Sequence, residues 1–387
     1  MIPELRRDFN ARFTAAKYST FLSRLDERCG THVKFRISET PCFFPDALLN
    51  KMRSAGAEMI RQLVQNETYL AEARRQIPDG FLVRNEAPRP LFAQADFGIV
   101  RQPGGRLTPK LVEIQGFPSL YAFQPALEDT YRECYALGAS ITTAPDAGDL
   151  LKRAILGNHA PENVALLEID PEHQKTLPDF LLTSRRYGIR VVDIREVRKR
   201  GQRLYVGDSQ IKRIYNRVIA DEMIRRDVQA DFRFDDDLDV EWAGHPNWFF
   251  LISKFSLPYL RHESVPESEF LDQVDATPQD LENYVLKPLY SFAGLGVKVE
   301  PTRADVDGIP DEQRPHYLLQ KRMRFEPLIE TPEGPTMAEV RIMYIWLEEL
   351  KPVGVIVRMG RGRMMGVDHN RDMAWVGASA AFTEAGV

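Results

Sequence analysis

The chain has 387 residues, with 51 Lys and Arg against 56 Asp and Glu and a formal net charge of −5. Its 43% hydrophobic and 28% charged residues are the balance of a globular protein of roughly two or three domains. Mild acidity argues against a general nucleic-acid or anionic-membrane binder, and no apolar run approaches the length of a membrane span. Three scattered cysteines (Cys29, Cys42, Cys134) exclude a disulfide scaffold and a CxxC zinc site.

The first ten residues are charged and lack an apolar stretch, so no secretory signal and a cytoplasmic location are expected. From Pro3, the positions Leu5, Phe9, Phe13 and Ala16 predict a helix stopped near Gly30. A second helix is predicted from about Asp46, with Leu49, Met52, Met59, Ile60 and Leu63 as its apolar stripe. Pro78, Pro88 and Pro90 then break the pattern. Strands are predicted over Phe92 to Val100 and Lys110 to Gln115, around the turn Gln102-Pro103-Gly104-Gly105. Helical periodicity resumes at about Pro125. Val164 to Ile169 reads as a buried strand, a helical stretch ends at Gly188, and Ile189 to Ile194 reads as another strand. That alternation predicts a small α/β unit with a parallel sheet. Asp235 to Asp237, with Asp239, reads as a solvated connector. The remainder is β-rich, with strands predicted over Tyr284 to Leu286, Tyr317 to Gln320, Val340 to Trp346 and Val353 to Arg358.

Three constellations could carry chemistry. With Gly104-Gly105 at the turn centre, Asp96 falls opposite Glu113 and Gln94 opposite Gln115. Period-two alternation puts Asp96, Glu113 and Gln115 on one face of the hairpin. Oxygen donors of this kind suit Mg²⁺, or a solvated face with a Lys or Arg partner. Next, an apolar strand ends in Lys287 and enters a loop with Gly294 and Gly296. Glycine lets backbone N–H groups approach phosphate oxygens, and Lys287 would add a point charge. The segment is neither a P-loop nor a GxGxxG fingerprint. Finally, Glu339 and Arg341 alternate with Val340 and Ile342, giving one charged and one apolar face. Arg358 ends the following strand. Such a face reads as a cleft lined for an anion or as a solvated face with cross-strand ion pairs. The Gly360 to Gly366 stretch reads as flexible. His245-Pro246-Asn247-Trp248 reads as structural and Cys134 as a core residue.

In this order the pieces resemble circularly permuted ATP-grasp ligases, namely the synthetase domain of glutathionylspermidine synthase and eukaryotic glutathione synthetase. The resemblance covers roughly residues 90–385. It implies a mixed α+β and α/β architecture: a permuted ATP-grasp fold with an inserted small α/β substrate domain and N-terminal helices. The implied division is 1–145 for the helices and first hairpin, 146–245 for the substrate domain, and 246–387 for the nucleotide lid and C-terminal sheet.

The resemblance also implies roles. Asp96, Glu113 and Gln115 would hold Mg²⁺. Lys254, within His245-Pro-Asn-Trp-Phe-Phe-Leu-Ile-Ser-Lys254, and Lys287 would be the two nucleotide lysines. Gly294 and Gly296 would belong to the phosphate lid. Gln320, within Tyr317-Leu-Leu-Gln320, would sit on the strand that holds adenine, with Glu339 also on the nucleotide side. Ser119, Ser291 and Arg358 would touch substrate, and Arg341 and Arg358 would serve catalysis. Ala374 to Ala380 would form a small-residue loop near the acceptor. Three departures stand out: Gln115 replaces the family's Asn, Gln94 its Arg, and Ser291 its acidic lid residue.

The implied activity is ATP-dependent joining of a small-molecule carboxylate to an amine, with ATP and Mg²⁺ as cofactors. The sequence gives no reading of oligomeric state, though related ligases often pair as homodimers; no nucleic-acid or membrane partner is expected. The departures keep a degenerate nucleotide-binding scaffold open as an alternative, and a kinase-like phosphoryl transferase would be another use of the same fold.

Overall fold

A computed structural model describes residues 1–137, 139–289, 296–363, 365–366, 370 and 372–384. The one helix expected at the start is two, α1 (Pro3–Arg12) and α2 (Ala15–Cys29). Phe13 is extended between them, and the Thr14 side chain accepts a hydrogen bond from the Lys17 backbone N–H. A capping threonine thus restarts the helix where the apolar spacing alone ran through. Gly30 ends α2 in the left-handed region, at φ 73.

Next come β1 (Cys42–Phe43), α3 (Asp46–Val64), α4 (Glu67–Arg75), β2 (Phe92–Arg101), β3 (Leu107–Gln115), α5 (Phe123–Tyr135), β4 (Ala139–Ile141) and α6 (Ala147–Leu156). The middle of the chain holds β5 (Val164–Glu168), α7 (Leu177–Tyr187) and β6 (Arg190–Asp193), then β7 (Arg198–Arg200), β8 (Arg203–Val206), β9 (Ser209–Ile211), β10 (Arg213–Asn216), α8 (Ala220–Arg225) and β11 (Glu241–Ala243). The last part holds α9 (Asn247–Leu251), β12 (Ser268–Phe270), β13 (Tyr284–Pro288), β14 (Lys298–Val299), α10 (Arg303–Asp307), β15 (Tyr317–Lys321), β16 (Met337–Trp346), β17 (Leu350–Gly360) and β18 (Gly377–Glu384).

Three sheets place the site. The largest has the order β1-β18-β17-β16-β2-β3, with β4 also on β18. It joins strands from both ends of the chain, so the 92–115 hairpin and the C-terminal strands form one surface. A four-stranded parallel sheet has the order β11-β10-β5-β6, and an antiparallel one the order β12-β15-β13-β14. The strands expected at 164–169 and 189–194 are β5 and β6, paired in parallel. Asp235 to Asp237 lie outside helix and strand and bind Arg233, Lys199 and Gln202.

Alternation decides which face of the large sheet is core. Ala95, Phe97, Val340, Ile342, Val355 and Val357 are buried with Leu49, Met52 and Ile60 of α3. Each Val, Ile, Leu, Met or Phe among them contributes about 1.5–3 kcal/mol by leaving water. Gly56 lets α3 approach closely, because a Cβ there would sit 2.2 Å from the Tyr344 hydroxyl. The intervening residues, Gln94, Asp96, Glu339 and Arg341, fall on the opposite face. That face meets the other two sheets.

β18 corrects an expectation. Ala374 to Ala380 is expected as a small-residue loop, yet Gly377 onward is strand, paired with β17 on one side and in parallel with β1. Asn370 ties down the described residues Arg361, Gly362 and Gly366. Asn370, 1% exposed, accepts the Arg361 and Gly362 backbone N–H groups at 3.1 and 3.0 Å and donates to the Gly366 carbonyl at 3.1 Å. His245-Pro-Asn-Trp is structural as expected: Asn247 bonds both backbone groups of Val83, and Trp248 donates to the Ala87 carbonyl.

Candidate functional site

A cleft of about 930 Å³ lies between the polar face of the large sheet, the β12–β15 sheet and the carboxyl ends of the parallel strands. Among its described lining residues, Lys and Arg outnumber Glu two to one. Such a cleft attracts anions.

Its floor is the β2–β3 hairpin. Gln94 pairs with Gln115 and Asp96 with Glu113, as expected, but Phe97 pairs with Leu111. The shift leaves Val112 as a bulge. The turn also differs slightly, since Gly105 donates to the Gln102 carbonyl and Gln102 to that of Arg106. The bulge makes up the difference, so the anticipated pairs hold for a partly different reason. The Val112 carbonyl accepts the Lys287 ammonium at 3.2 Å. Lys287 is 7% exposed, and burial pulls its pKa down to about 8, against the pull of Glu113 and with that of Lys254. Lys254, on the short helix Lys254–Tyr259, lies 3.9 Å from Glu113 Oε2. Gln115 donates to the other Glu113 oxygen. Glu113 and Gln115 from one strand, and Lys254 and Lys287 from two other elements, therefore meet in one place.

Asp96 sits differently from its expected place on a metal. It is 1% exposed, and both its oxygens are held by arginines. Arg341 Nε and Nη2 approach Oδ1 and Oδ2 at 2.6 Å each, and Arg358 Nη2 approaches Oδ2 at 2.6 Å. Burial alone would raise the Asp96 pKa, but the two arginines override it and hold it below the usual carboxylate range. Burial likewise opposes the charge on Arg341, and Asp96 overrides that too. Asp96 is thus a poor metal donor, because an ion would have to displace two charge-assisted contacts. Removing one member of such a buried cluster costs about 3–5 kcal/mol.

Glu339 pairs directly with Arg358, its cross-strand partner, and lines the cleft. Burial raises its pKa; Arg358 works against that, while Asp96 and Glu113 add to it. Among the described residues no three His, Cys, Asp or Glu converge as a metal cluster. What the cleft offers is Glu113 and Glu339 with the Gln115 amide. That set fits Mg²⁺ in the manner usual for nucleotide sites, where one or two carboxylates are completed by phosphate oxygens and water.

The remaining expected residues divide. Gln320 on β15 is 1% exposed, lines the cleft and donates to Ser268 Oγ at 2.9 Å. Ser119 lines it further along, and its carbonyl accepts from Gln94 Nε2 at 2.8 Å. Gly296 has φ 72 and packs by Pro288, and it is not among the lining residues. Ser291 and Gly294 lie outside the described residues.

Sequence reasoning missed Glu168 and Arg217. They stand at the carboxyl ends of the parallel strands β5 and β10, where open α/β sheets place their ligands. Arg217 is 2% exposed, donates to Asp179 Oδ2 at 2.9 Å and lies over the Phe117 and Phe180 rings at 5.4 and 5.1 Å. Burial pushes Glu168 up to about 8, against the pull of Arg217. The available signal was the parallel sheet itself, whose carboxyl ends are where ligand residues belong.

No family model matches the chain, and no curated protein matches it. Solved structures do, in 38 chains. One is a glutathione synthetase-like effector from Globodera pallida in the apo form. The match has a TM-score of 0.64 and 12% sequence identity, and covers 95% of this chain and 96% of that one. The chain has a glutathione synthetase-like fold.

Proposed function

We propose, from that fold, that the protein is an ATP-dependent carboxylate–amine ligase of the permuted ATP-grasp type. The observation that carries this reading is the meeting of Lys254 and Lys287 with Glu113 and Gln115 at the bulged hairpin, in the cleft that Gln320 also lines. Two lysines beside buried polar groups suit the phosphates of a nucleotide. Gln320 and the adjoining backbone of β15 would border the base. Glu113, Glu339 and Gln115 would hold Mg²⁺, which when bound offsets phosphate charge.

In this reading the lysines orient the γ-phosphoryl group toward a substrate carboxylate. Arg341 and Arg358 hold that carboxylate through bidentate contacts. An acyl phosphate forms and ADP leaves; an amine then attacks, releasing phosphate. Glu168 and Arg217 would line the far part of the cleft for the body of one substrate.

A second reading is a nucleotide-binding scaffold without turnover. It is favoured by Asp96, whose oxygens are committed to two arginines rather than left to a metal. One experiment separates the two. ATP is titrated calorimetrically with and without Mg²⁺ into the wild type and Glu113→Gln, and ADP release is followed with mixed carboxylates and amines. Mg²⁺-dependent binding weakened by the substitution, with ADP release requiring both an acid and an amine, is the expected result. Binding without turnover selects the scaffold. Binding indifferent to Mg²⁺ and to Glu113 overturns the nucleotide assignment.

A further inference from the structure

The three charged strands at the centre of the cleft are in register. Asp96 on β2 faces Arg341 on β16, and Glu339 on β16 faces Arg358 on β17. A guanidinium carries five N–H donors in a planar fork. Asp96 takes Nε and Nη2 of Arg341, and Asp96 and Glu339 share Nη2 of Arg358. Nη1 of Arg341, and Nε and Nη1 of Arg358, have no protein partner among the described residues. Both arginines line the cleft, whereas Asp96 does not. Its carboxylate therefore grips the two guanidinium groups from behind and leaves their remaining donors to a ligand.

The geometry points to Asp96 as a positioning residue that fixes Arg341 and Arg358 as one paired clamp for a tetrahedral or carboxylate oxyanion. This rests on the ligase reading for the identity of the anion, but not for the clamp itself. Arginine side chains are long and flexible, and a fork aligned in advance loses less freedom when it binds. Asp96 also lowers the positive charge of the pair. Positioning and charge reduction therefore predict opposite effects when Asp96 is neutralised. If position matters more, the anion binds less tightly; if charge matters more, it binds more tightly.

The test uses inorganic phosphate, titrated calorimetrically into the protein alone and into protein loaded with ADP and Mg²⁺. The wild type is expected to bind phosphate. Asp96→Asn is expected to weaken phosphate by about tenfold or more, as misplaced catalytic groups do, while ADP affinity stays within about twofold. Unchanged or tighter phosphate binding in that variant overturns the proposal, as does parallel loss of phosphate and ADP. If Asp96→Asn does not fold, Asp96→Glu decides. It keeps the charge, but a carboxylate one methylene further out cannot hold both guanidinium groups where Asp96 holds them, so it should show the same selective loss; unchanged phosphate affinity there overturns the clamp. Failure of the wild type to bind ADP with Mg²⁺ removes the ligase reading, while phosphate binding to the unloaded protein still decides the clamp. No phosphate binding by the wild type overturns it.

Discussion

At the scale of single residues, Lys287 makes the cleft sensitive to pH. Burial lowers its pKa to about 8 from the ordinary 10.5, so the folded chain gives up this proton earlier than the unfolded chain. Between those values the unfolded chain holds more protons, and the contribution of this group to stability rises with pH. Under the proposed function, polyphosphate binding runs the other way, because it would need the charged ammonium. ATP affinity should hold up to about pH 8 and fall beyond it by up to about tenfold per unit. Binding near pH 8–9 should take up a proton. Calorimetry in buffers of different ionisation enthalpy measures both. In Lys287→Met, affinity should be lower and its fall above pH 8 lost; an unchanged pH profile in that variant would remove Lys287 from the phosphate site.

At the scale of elements, the chain showed its strands where one face had to be core and the other not. Val340 and Ile342 alternating with Glu339 and Arg341 is such a case, and so is the Asp96–Glu113 pairing. What it hid depends on partners far away in sequence. Phe13-Thr14 continues an apolar stripe, and only the cap shows the break. The Val112 bulge has no residue signature. Gly377-Ala-Ser-Ala-Ala lacks the β-branched residues of a typical strand, yet its small side chains suit a strand packed between β1 and β17. The Asp96 arginines come from strands more than two hundred residues away, so spacing left a metal and a Lys or Arg partner both open, and only the fold supplies the two guanidinium groups. Glycine positions were equally opaque. A Cβ on Gly116 would lie 2.2 Å from the Trp248 carbonyl oxygen, a backbone atom that cannot swing aside. Gly104 has nothing within 4 Å and only its φ of 89 to protect. Gly116→Ala should therefore cost about 2–3 kcal/mol and Gly104→Ala about 1 kcal/mol. Urea denaturation compares them, and equal losses would mean that β3 can shift away from α9.

At the scale of the whole molecule, the cleft is where separate parts of the chain meet, and among the described residues few backbone bonds join them there. Leu111 donates to the Ser264 carbonyl, Gly116 to that of Ile252, and Glu326 to that of Ile99. Lys254 and Lys287 add two polar contacts across to the hairpin. A nucleotide held by Lys287 and Gln320 on one side and by the Glu113 strand on the other would be a further tie. Binding to the folded state alone stabilises by an amount set by concentration over affinity, about 2.7 kcal/mol at a hundredfold excess over Kd. ATP with Mg²⁺ should therefore raise the melting temperature by several degrees. The distribution of the gain is more telling than its size. Amide exchange should slow most in β13, β15 and the end of β3, where the sheets face each other over the ligand. It should change least in β7, β8 and β9, whose three-stranded sheet lies outside the cleft lining. Protection confined to the parallel strands β5 and β10 would put the nucleotide at the Glu168–Arg217 end, and the lysine pair would then serve another anion.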